Sequence, residues 1–271
     1  MTECQLIGRC PYCAAPSRED RLSLGFLRCS GCGLLIRRSQ PTVQELDEFY
    51  KAEWLSPMGS GATGATNKNV ARYYALNLAR TMGRKDLSGL RILELGAGRG
   101  DFAIALMALG AEVIASDPFS YEELQRRGVK SVASLDDLQS RLTFDVVVSN
   151  SVIEHLPVPW KVLRDLRTRL VEGGWLYIST PNAISLAARV QNARWSEARN
   201  RGHMFLFTPK CLQKILAENG YSSVVRQRWL VRYARSLPRR TLQAALQLTG
   251  IAGEMHFIAR RAAGEPYGNE S

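Results

Sequence analysis

The stretch that most constrains this chain is residues 91–101, Arg-Ile-Leu-Glu-Leu-Gly-Ala-Gly-Arg-Gly-Asp. Its apolar run at 92–95 predicts a short buried strand of a parallel sheet, and residues 102–109 predict an apolar helix. Between them stand glycines at 96, 98 and 100. Glycine accepts positive φ and, lacking a Cβ, lets backbone approach a ligand closely. The helix start that follows offers free N–H groups and a positive dipole end to polar parts of that ligand. The stretch therefore reads as the floor of a ligand site at the carboxyl end of the first strand of an open α/β sheet.

The residues around the glycines narrow the ligand. A dinucleotide fingerprint, G-x-G-x-x-G, would want a small residue at position 101, where this chain has Asp101. Two residues before the first glycine stands Glu94. A carboxylate there would repel a pyrophosphate and suits the cationic amino and sulfonium end of S-adenosylmethionine. The pattern resembles the first motif of class I S-adenosylmethionine-dependent methyltransferases. Residues 111–117 read as a second strand ending in Asp117, 17 residues past Gly100, where a carboxylate can accept ribose hydroxyls. Pro118 and Phe119 follow, with Phe119 placed to pack on adenine. Residues 128–133 read as a third strand and 144–150 as a fourth, β-branched and buried. The segments Asn-Ser-Val-Ile-Glu-His-Leu at 150–156 and Glu-Gly-Gly-Trp-Leu-Tyr-Ile-Ser-Thr-Pro-Asn at 172–182 extend the resemblance to the group that includes ubiquinone-biosynthesis O-methyltransferases. It covers roughly residues 67–262.

The resemblance implies a Rossmann-like, seven-stranded, mostly parallel sheet with helices on both faces. It implies cofactor contacts from Glu94, Gly96, Ala97, Gly98, Gly100, Asp117, Pro118, Phe119, Ser134, Leu135, Asn150 and Ser151. Family members often carry an acid where this chain has Ser134. His155, at the end of the fourth strand, is a candidate general base because an imidazole titrates near working pH, or else Glu154 and His155 only order the loop. In the quinone relatives these two residues, with an earlier Glu, are associated with a divalent metal. The earlier position here is Ser151, so no catalytic metal is carried over. His203, which precedes Met-Phe-Leu-Phe-Thr-Pro, is a second candidate for orienting or deprotonating an acceptor, or a histidine satisfied within its loop.

The N-terminal region carries a separate signal. Cys10 and Cys13, then 15 residues, then Cys29 and Cys32 give the spacing of a tetrahedral four-thiolate zinc site. Too few apolar residues lie here for a metal-free core, so structural zinc in a small zinc ribbon is the expectation. Cys4 and Cys211 read as plain thiols.

These signals divide the chain into a zinc-ribbon module at 1–40, a helical connection and lid at 41–90, a methyltransferase domain at 91–262 and a tail at 263–271. Acceptor-side insertions are expected at 182–219 and 232–250. Thr42 and Glu45 mark a capped helix, 56–66 a Gly/Ser/Thr-rich mobile loop, and Asn67 a helix cap; Tyr73 or Tyr74 of that next helix covers a substrate or packs in the core. The net charge is +11, with 14 Lys and Arg against five Asp and Glu in residues 182–271, including Arg235, Arg239 and Arg240. Such a balance favours an anionic partner, or is only a solvated basic face. No apolar run is long enough to span a bilayer and the first residues lack a signal-peptide pattern, so a cytoplasmic enzyme is expected. The reading is methyl transfer to an oxygen or nitrogen of a small molecule: a natural-product, quinone-like, or glycan- or lipid-linked intermediate. The alternatives are an RNA base methyltransferase that uses the zinc module to hold RNA, and a non-catalytic cofactor-binding scaffold.

Overall fold

A computed structural model describes residues 8–20, 25–55, 68–229 and 237–263. The expectations for Cys4, the loop at 56–66, the Asn67 cap, Arg235, the side chains of Arg239 and Arg240, and the last residues of the tail lie outside what is described.

In chain order the elements are β1 (Ser17–Glu19), β2 (Phe26–Cys29), β3 (Leu35–Arg37), α1 (Val43–Leu55), α2 (Lys68–Thr81), β4 (Arg91–Leu95), α3 (Asp101–Met107), β5 (Glu112–Ser116), α4 (Tyr121–Arg126) and β6 (Lys130–Val132). They continue as β7 (Phe144–Asn150), α5 (Pro159–Arg169), β8 (Leu170–Pro181), α6 (Leu186–Gln191), α7 (Ser196–Arg199), β9 (Phe205–Leu206), α8 (Pro209–Glu218), β10 (Tyr221–Gln227), α9 (Leu237–Thr249) and β11 (Glu254–Arg261). The large sheet has seven strands in the order β10-β11-β8-β7-β4-β5-β6. Strands β4 to β8 pair in parallel, and β11 and β10 add antiparallel strands at one end. The order reverses at β4, which pairs with β5 on one side and β7 on the other. An open sheet binds ligands at such a switch point, outside the carboxyl ends of its strands. That places the crevice above Leu95 and Asn150, where the glycine turn lies.

Alternation along the strands sorts the core into two layers. Ile92, Val146, Val148, Tyr177 and Ile258 join Phe102 and the buried side of α2 in one cluster. Leu93, Val147, Leu176, Ile178 and Phe257 face the other way and join Leu163 and Leu166 of α5 and Leu212 and Ile215 of α8. Both faces are covered, as α/β sheets require.

The cysteine-rich region is built into this second layer. Cys10, Cys29, Cys32, Leu34 and Ile36 belong to the same cluster as the sheet residues. Phe26 and Leu35, on the opposite side of the small sheet, pack with Ala188 of α6, Ala198 of α7 and Trp195. The small sheet runs β1-β2-β3-β9, and its last strand comes from the insertion at 182–219. Leu35 pairs with Leu206 and Ile36 with Phe205. Truncating Ile36 to alanine would cost on the order of 2–5 kcal/mol, because this fully buried side chain sits where the two parts meet.

Local chemistry explains the helix starts. Thr42 and Glu45 cap α1 reciprocally, at 3.2 Å from the Glu45 N–H to Thr42 Oγ1 and 2.7 Å from the Thr42 N–H to Glu45 Oε2. Thr208 caps α8, accepting from the Cys211 N–H at 3.2 Å, with Pro209 in the first turn. Within the insertion at 182–219, α6 ends at Asn192, whose φ is 47°.

Candidate active site

The glycine turn has the backbone its sequence promised. Gly96 has φ 69°, and a Cβ there would lie 2.4 Å from Val152 Cγ2, so only glycine lets the turn pack under the loop after β7. Gly98 has φ 51° with nothing within 4 Å of its missing Cβ, which leaves open space for a ligand against bare backbone. Asp101 opens α3 and pairs with Arg127 at 3.4 Å, where a dinucleotide fold would want a small residue.

Glu94 lies beneath this turn, only 2% exposed. Among the described residues its Oε2 finds no hydrogen-bond partner. Burial, reinforced by the nearby charge of Asp117, pushes its pKa up to about 8, while the Ala103 N–H pulls the other way. The result is a protonated, buried carboxyl at the carboxyl end of β4 with one oxygen that no described residue satisfies. Asp117, at the end of β5, accepts from the N–H groups of Gly98 at 2.8 Å and of Phe119 and Ser120 at 3.0 Å each. Those bonds aim its carboxylate at the same turn. Phe119 is half-buried beside it and Pro118 is exposed.

Ser134 and Leu135 follow β6, whose Val132 carbonyl accepts from the Asp117 N–H at 3.0 Å. Ser134 spends its polar groups on a cap: the Asp136 N–H donates to Ser134 Oγ at 3.2 Å, and the Ser134 N–H donates to Asp137 at 2.8 Å. Asn150 accepts from the Ser179 hydroxyl. Ser151 holds φ 54° while its N–H donates to the Ser179 carbonyl at 3.0 Å. A non-glycine residue in the left-handed region marks a backbone forced into place by its neighbours, and here it sits at the switch point.

The second centre gathers residues far apart in sequence. Donor atoms of Glu154, His155 and His203 all lie within 4.8 Å of one another. Glu154 is 1% exposed; its Oε2 accepts from the Thr180 hydroxyl at 2.9 Å and its Oε1 has no partner among the described residues. Burial raises its pKa to about 8. His155 Nε2 lies 4.0 Å from Glu154 Oε1, and burial lowers its pKa to about 4, so the ring is neutral at pH 7. His203 stacks edge-on against His155 with ring centroids 4.5 Å apart. Both of its nitrogens are engaged, Nδ1 with the Glu197 carbonyl at 2.9 Å and Nε2 with Asn200 at 3.1 Å. His203 is thereby fixed in its loop and gives His155 a wall to rest on.

Tyr50 of α1 also reaches this centre, although sequence alone gave no reason to single it out. Its hydroxyl meets His155 Nδ1 and donates to the Gly202 carbonyl at 3.2 Å, and its ring lies 5.7 Å from that of Phe119. Of the two α2 tyrosines read as either lid or core residues, Tyr74 packs in the core: it is 1% exposed, lies against Phe102 and Trp229, and donates to Glu254 at 2.6 Å, while Tyr73 is half-buried. Another buried histidine, His256, lies on that face of the sheet, opposite Ser179 in the register and in contact with Tyr177 and Trp229. A cavity of about 320 Å³ opens there, lined by Arg226, Arg228, Trp229 and Glu254 among others.

The four module cysteines form a third cluster, with all sulfurs within 4.8 Å. Cys10 and Cys32 are 3.7 Å apart and Cys13 and Cys29 3.3 Å. A tetrahedral zinc with bonds of about 2.3 Å separates its sulfurs by about 3.8 Å, so the donor set fits the ion. The N–H groups of Gly31 and Cys32 point at Cys29 Sγ, at 3.3 and 3.4 Å. Burial works against ionisation, yet the Cys32 N–H, the Cys13 thiol and the Gly31 N–H bring Cys29 down to about 7.

Comparison with known proteins bears on the family and the fold. Residues 66–226 match a family described as "Methyltransferase domain". A ubiquinone biosynthesis O-methyltransferase of Xanthomonas oryzae pv. oryzae is 34% identical over 128 residues, which cover 42% of this chain and 54% of that protein. The chain thus spans about half the length of the first curated relatives it matches. A namesake from Rhizobium rhizogenes is 25% identical over 206 residues, 67% of this chain and 83% of that one. Among solved structures, a 1,6-didemethyltoxoflavin-N1-methyltransferase of Burkholderia thailandensis, bound to 1,6-didemethyltoxoflavin and S-adenosylhomocysteine, superposes with a TM-score of 0.56 at 18% identity. It covers 85% of this chain and 96% of its own. With its strand order, its glycine turn and this match over more than half its length, the chain belongs to the methyltransferase-domain family.

Proposed function

We propose that this chain transfers a methyl group from S-adenosylmethionine to an oxygen or nitrogen of a small molecule, of the natural-product, quinone-like, or glycan- or lipid-linked kind. The observation that carries the reading is Glu94: a buried carboxyl with an unpartnered oxygen under a bare glycine turn, at the switch point of the sheet. The relatives named for ubiquinone biosynthesis O-methylation support the same class of reaction.

When bound, the donor supplies an electrophilic methyl group on a sulfonium. Glu94 would hold its ammonium end, the turn at Gly96, Ala97, Gly98 and Gly100 would bring bare backbone against it, and Asp117 would take the ribose. Phe119, Ser134 and Leu135 would lie toward the adenine, and Pro118, Asn150 and Ser151 would complete the contacts to the donor. His155 is neutral and fixed by its neighbours, with His203 beside its ring. Because burial lowers it to about 4 rather than leaving it near working pH, its part is to accept a hydrogen bond from the acceptor and orient it more than to hold the acceptor's proton. The protein's main contribution is to hold the two reactants in line, which supplies roughly 7–11 kcal/mol of the barrier lowering. The four cysteines hold structural zinc, and their strands are enclosed by the large sheet on one side and by α6 and α7 on the other. That placement suits a brace better than a surface for gripping RNA. The excess of basic residues in the last third suits an acceptor that carries negative charge.

The test is incubation with donor labelled on its methyl group, together with either a small-molecule extract or total RNA from the same cells. Label in the small-molecule fraction supports the proposal; label only in RNA overturns the acceptor class.

A further inference from the structure

We propose that Tyr50 is a positioning residue of the methyl-transfer site, its hydroxyl setting the ring of His155 and its own ring closing the crevice on the Phe119 side. The role of the Tyr50 ring rests on the cofactor reading above; the role of its hydroxyl does not.

Three groups meet at one point. The Tyr50 hydroxyl contacts His155 Nδ1, the hydroxyl also donates to the Gly202 carbonyl at 3.2 Å, and His155 Nδ1 lies 3.0 Å from that same carbonyl. A carbonyl only accepts, so Nδ1 must carry a proton to bond it; the Tyr50 hydroxyl gives its own proton to the same carbonyl and its oxygen accepts a share of the Nδ1–H. The arrangement places the imidazole proton on Nδ1 and leaves Nε2 as a lone pair, on the side of the unpartnered Glu154 Oε1. The Tyr50 and His155 rings stand edge to face, with centroids 5.5 Å apart and an interplanar angle of 82°. On its other side Tyr50 lies against Phe119, two residues beyond Asp117. One side chain therefore touches both ends of the crevice.

The approach of α1 is specific. A Cβ on Gly202 would lie 2.5 Å from the Tyr50 hydroxyl oxygen and 3.0 Å from the Phe49 ring, so the chain at 202 is bare where α1 comes closest. Leu46 anchors the helix in the core cluster that also holds three of the module cysteines. Arg37, at the end of β3, donates to the carbonyls of His203 at 2.7 Å and of Ala198 at 3.3 Å, and it also reaches the Asn200 carbonyl. The module thus fixes both partners of the Tyr50 contact: the helix that carries Tyr50 and the loop that carries Gly202.

The experiment uses the full chain labelled with ¹⁵N-histidine, which has three histidines to resolve, with His155 assigned from the His155→Gln variant. The wild type is expected to show His155 protonated on Nδ1 with a protected Nδ1–H signal. Tyr50→Phe should lower that protection, because Nδ1–H keeps only the Gly202 carbonyl, yet bind S-adenosylhomocysteine within about twofold of wild type because the ring remains. Tyr50→Ala should lower protection too and bind S-adenosylhomocysteine at least fivefold more weakly, so the conservative variant rescues affinity and not the imidazole signal. A Tyr50→Phe protein with the wild-type His155 signal overturns the hydroxyl's role, and a Tyr50→Ala protein with wild-type affinity overturns the ring's role. If the wild type binds no S-adenosylhomocysteine, the donor reading fails and the His155 signal alone decides the fate of Tyr50.

Discussion

Glu94 and Glu154 are two buried glutamates with nearly the same physics and different origins. Each is at most 2% exposed, each has one carboxylate oxygen without a partner among the described residues, and burial pushes each to about pH 8. Glu94 belongs to one continuous stretch, whose strand, turn and helix fix its surroundings within about ten residues. Glu154 depends on Thr180 from β8, His203 from the insertion and, through His155, Tyr50 from α1. The surroundings of Glu94 can be written in one motif; the centre around Glu154 is assembled by the tertiary fold, and here by the cysteine module.

The largest effect should come from cutting that assembly at its source. Cys29→Ser is expected to leave less than half an equivalent of zinc by elemental analysis and to lower the melting temperature by more than 10 °C, since structural zinc carries much of the folding energy of such modules. It should erase the His155 signal while weakening S-adenosylhomocysteine no more than Tyr50→Ala does. If cofactor affinity collapses as well, the two centres are not separable.

Exchanging the glutamates sharpens the contrast. Glu94→Gln should weaken cofactor binding roughly a hundredfold, about 3 kcal/mol, because a charged partner is lost in a buried site. Glu154→Gln should change it less than threefold and slow methyl transfer at least tenfold. Calorimetry and single-turnover kinetics separate the two, and equal losses of affinity would erase the distinction.

A smaller effect concerns stability against pH. The folded chain keeps protons on Glu94 and Glu154 up to about pH 8, whereas unfolded glutamates release them near 4.5. Their contribution is therefore full below pH 4.5 and is lost as pH rises toward 8. His155 runs the other way: unfolded histidine charges near 6.5 and the folded ring only near 4, so its contribution is full above 6.5 and is lost as pH falls to 4. Denaturation of the cofactor-free Glu154→Gln protein between pH 5 and 8 should show a flatter alkaline decline than wild type, by up to about 1.4 kcal/mol per pH unit. An unchanged slope means that Glu154 is ionised in the folded state.

The sequence was most informative where chemistry and chain order coincide. Residues 92–95, the three glycines and Asp117 are local, and the strands at 92–95, 111–117, 128–133 and 144–150 could be read from their apolar runs, whereas the count of seven came from the family resemblance. The four cysteines were legible because metal-ligand spacing is itself a pattern. Tyr50 was not, since nothing on an amphipathic helix distinguishes a tyrosine facing a histidine 105 positions away from one facing solvent. The shared sheet was hidden for the same reason: β9 has only two residues, Phe205 and Leu206, and its pairing with β3 has no local signature. Trp229, His256 and Glu254 likewise meet Tyr74 only through the antiparallel end of the sheet.

The central claim is that the glycine turn and Glu94 hold S-adenosylmethionine, and proton release on binding tests it most directly. Glu94 keeps its proton in the free protein at pH 7 and must give it up to pair with the ligand's ammonium group. Calorimetric titrations at pH 7 in buffers of different ionisation enthalpy should show about one proton released per S-adenosylmethionine bound by the wild type. They should show none for Glu94→Gln, alongside its roughly hundredfold loss of affinity. A binding heat independent of buffer in the wild type, with Glu94→Gln binding as tightly, would contradict the account.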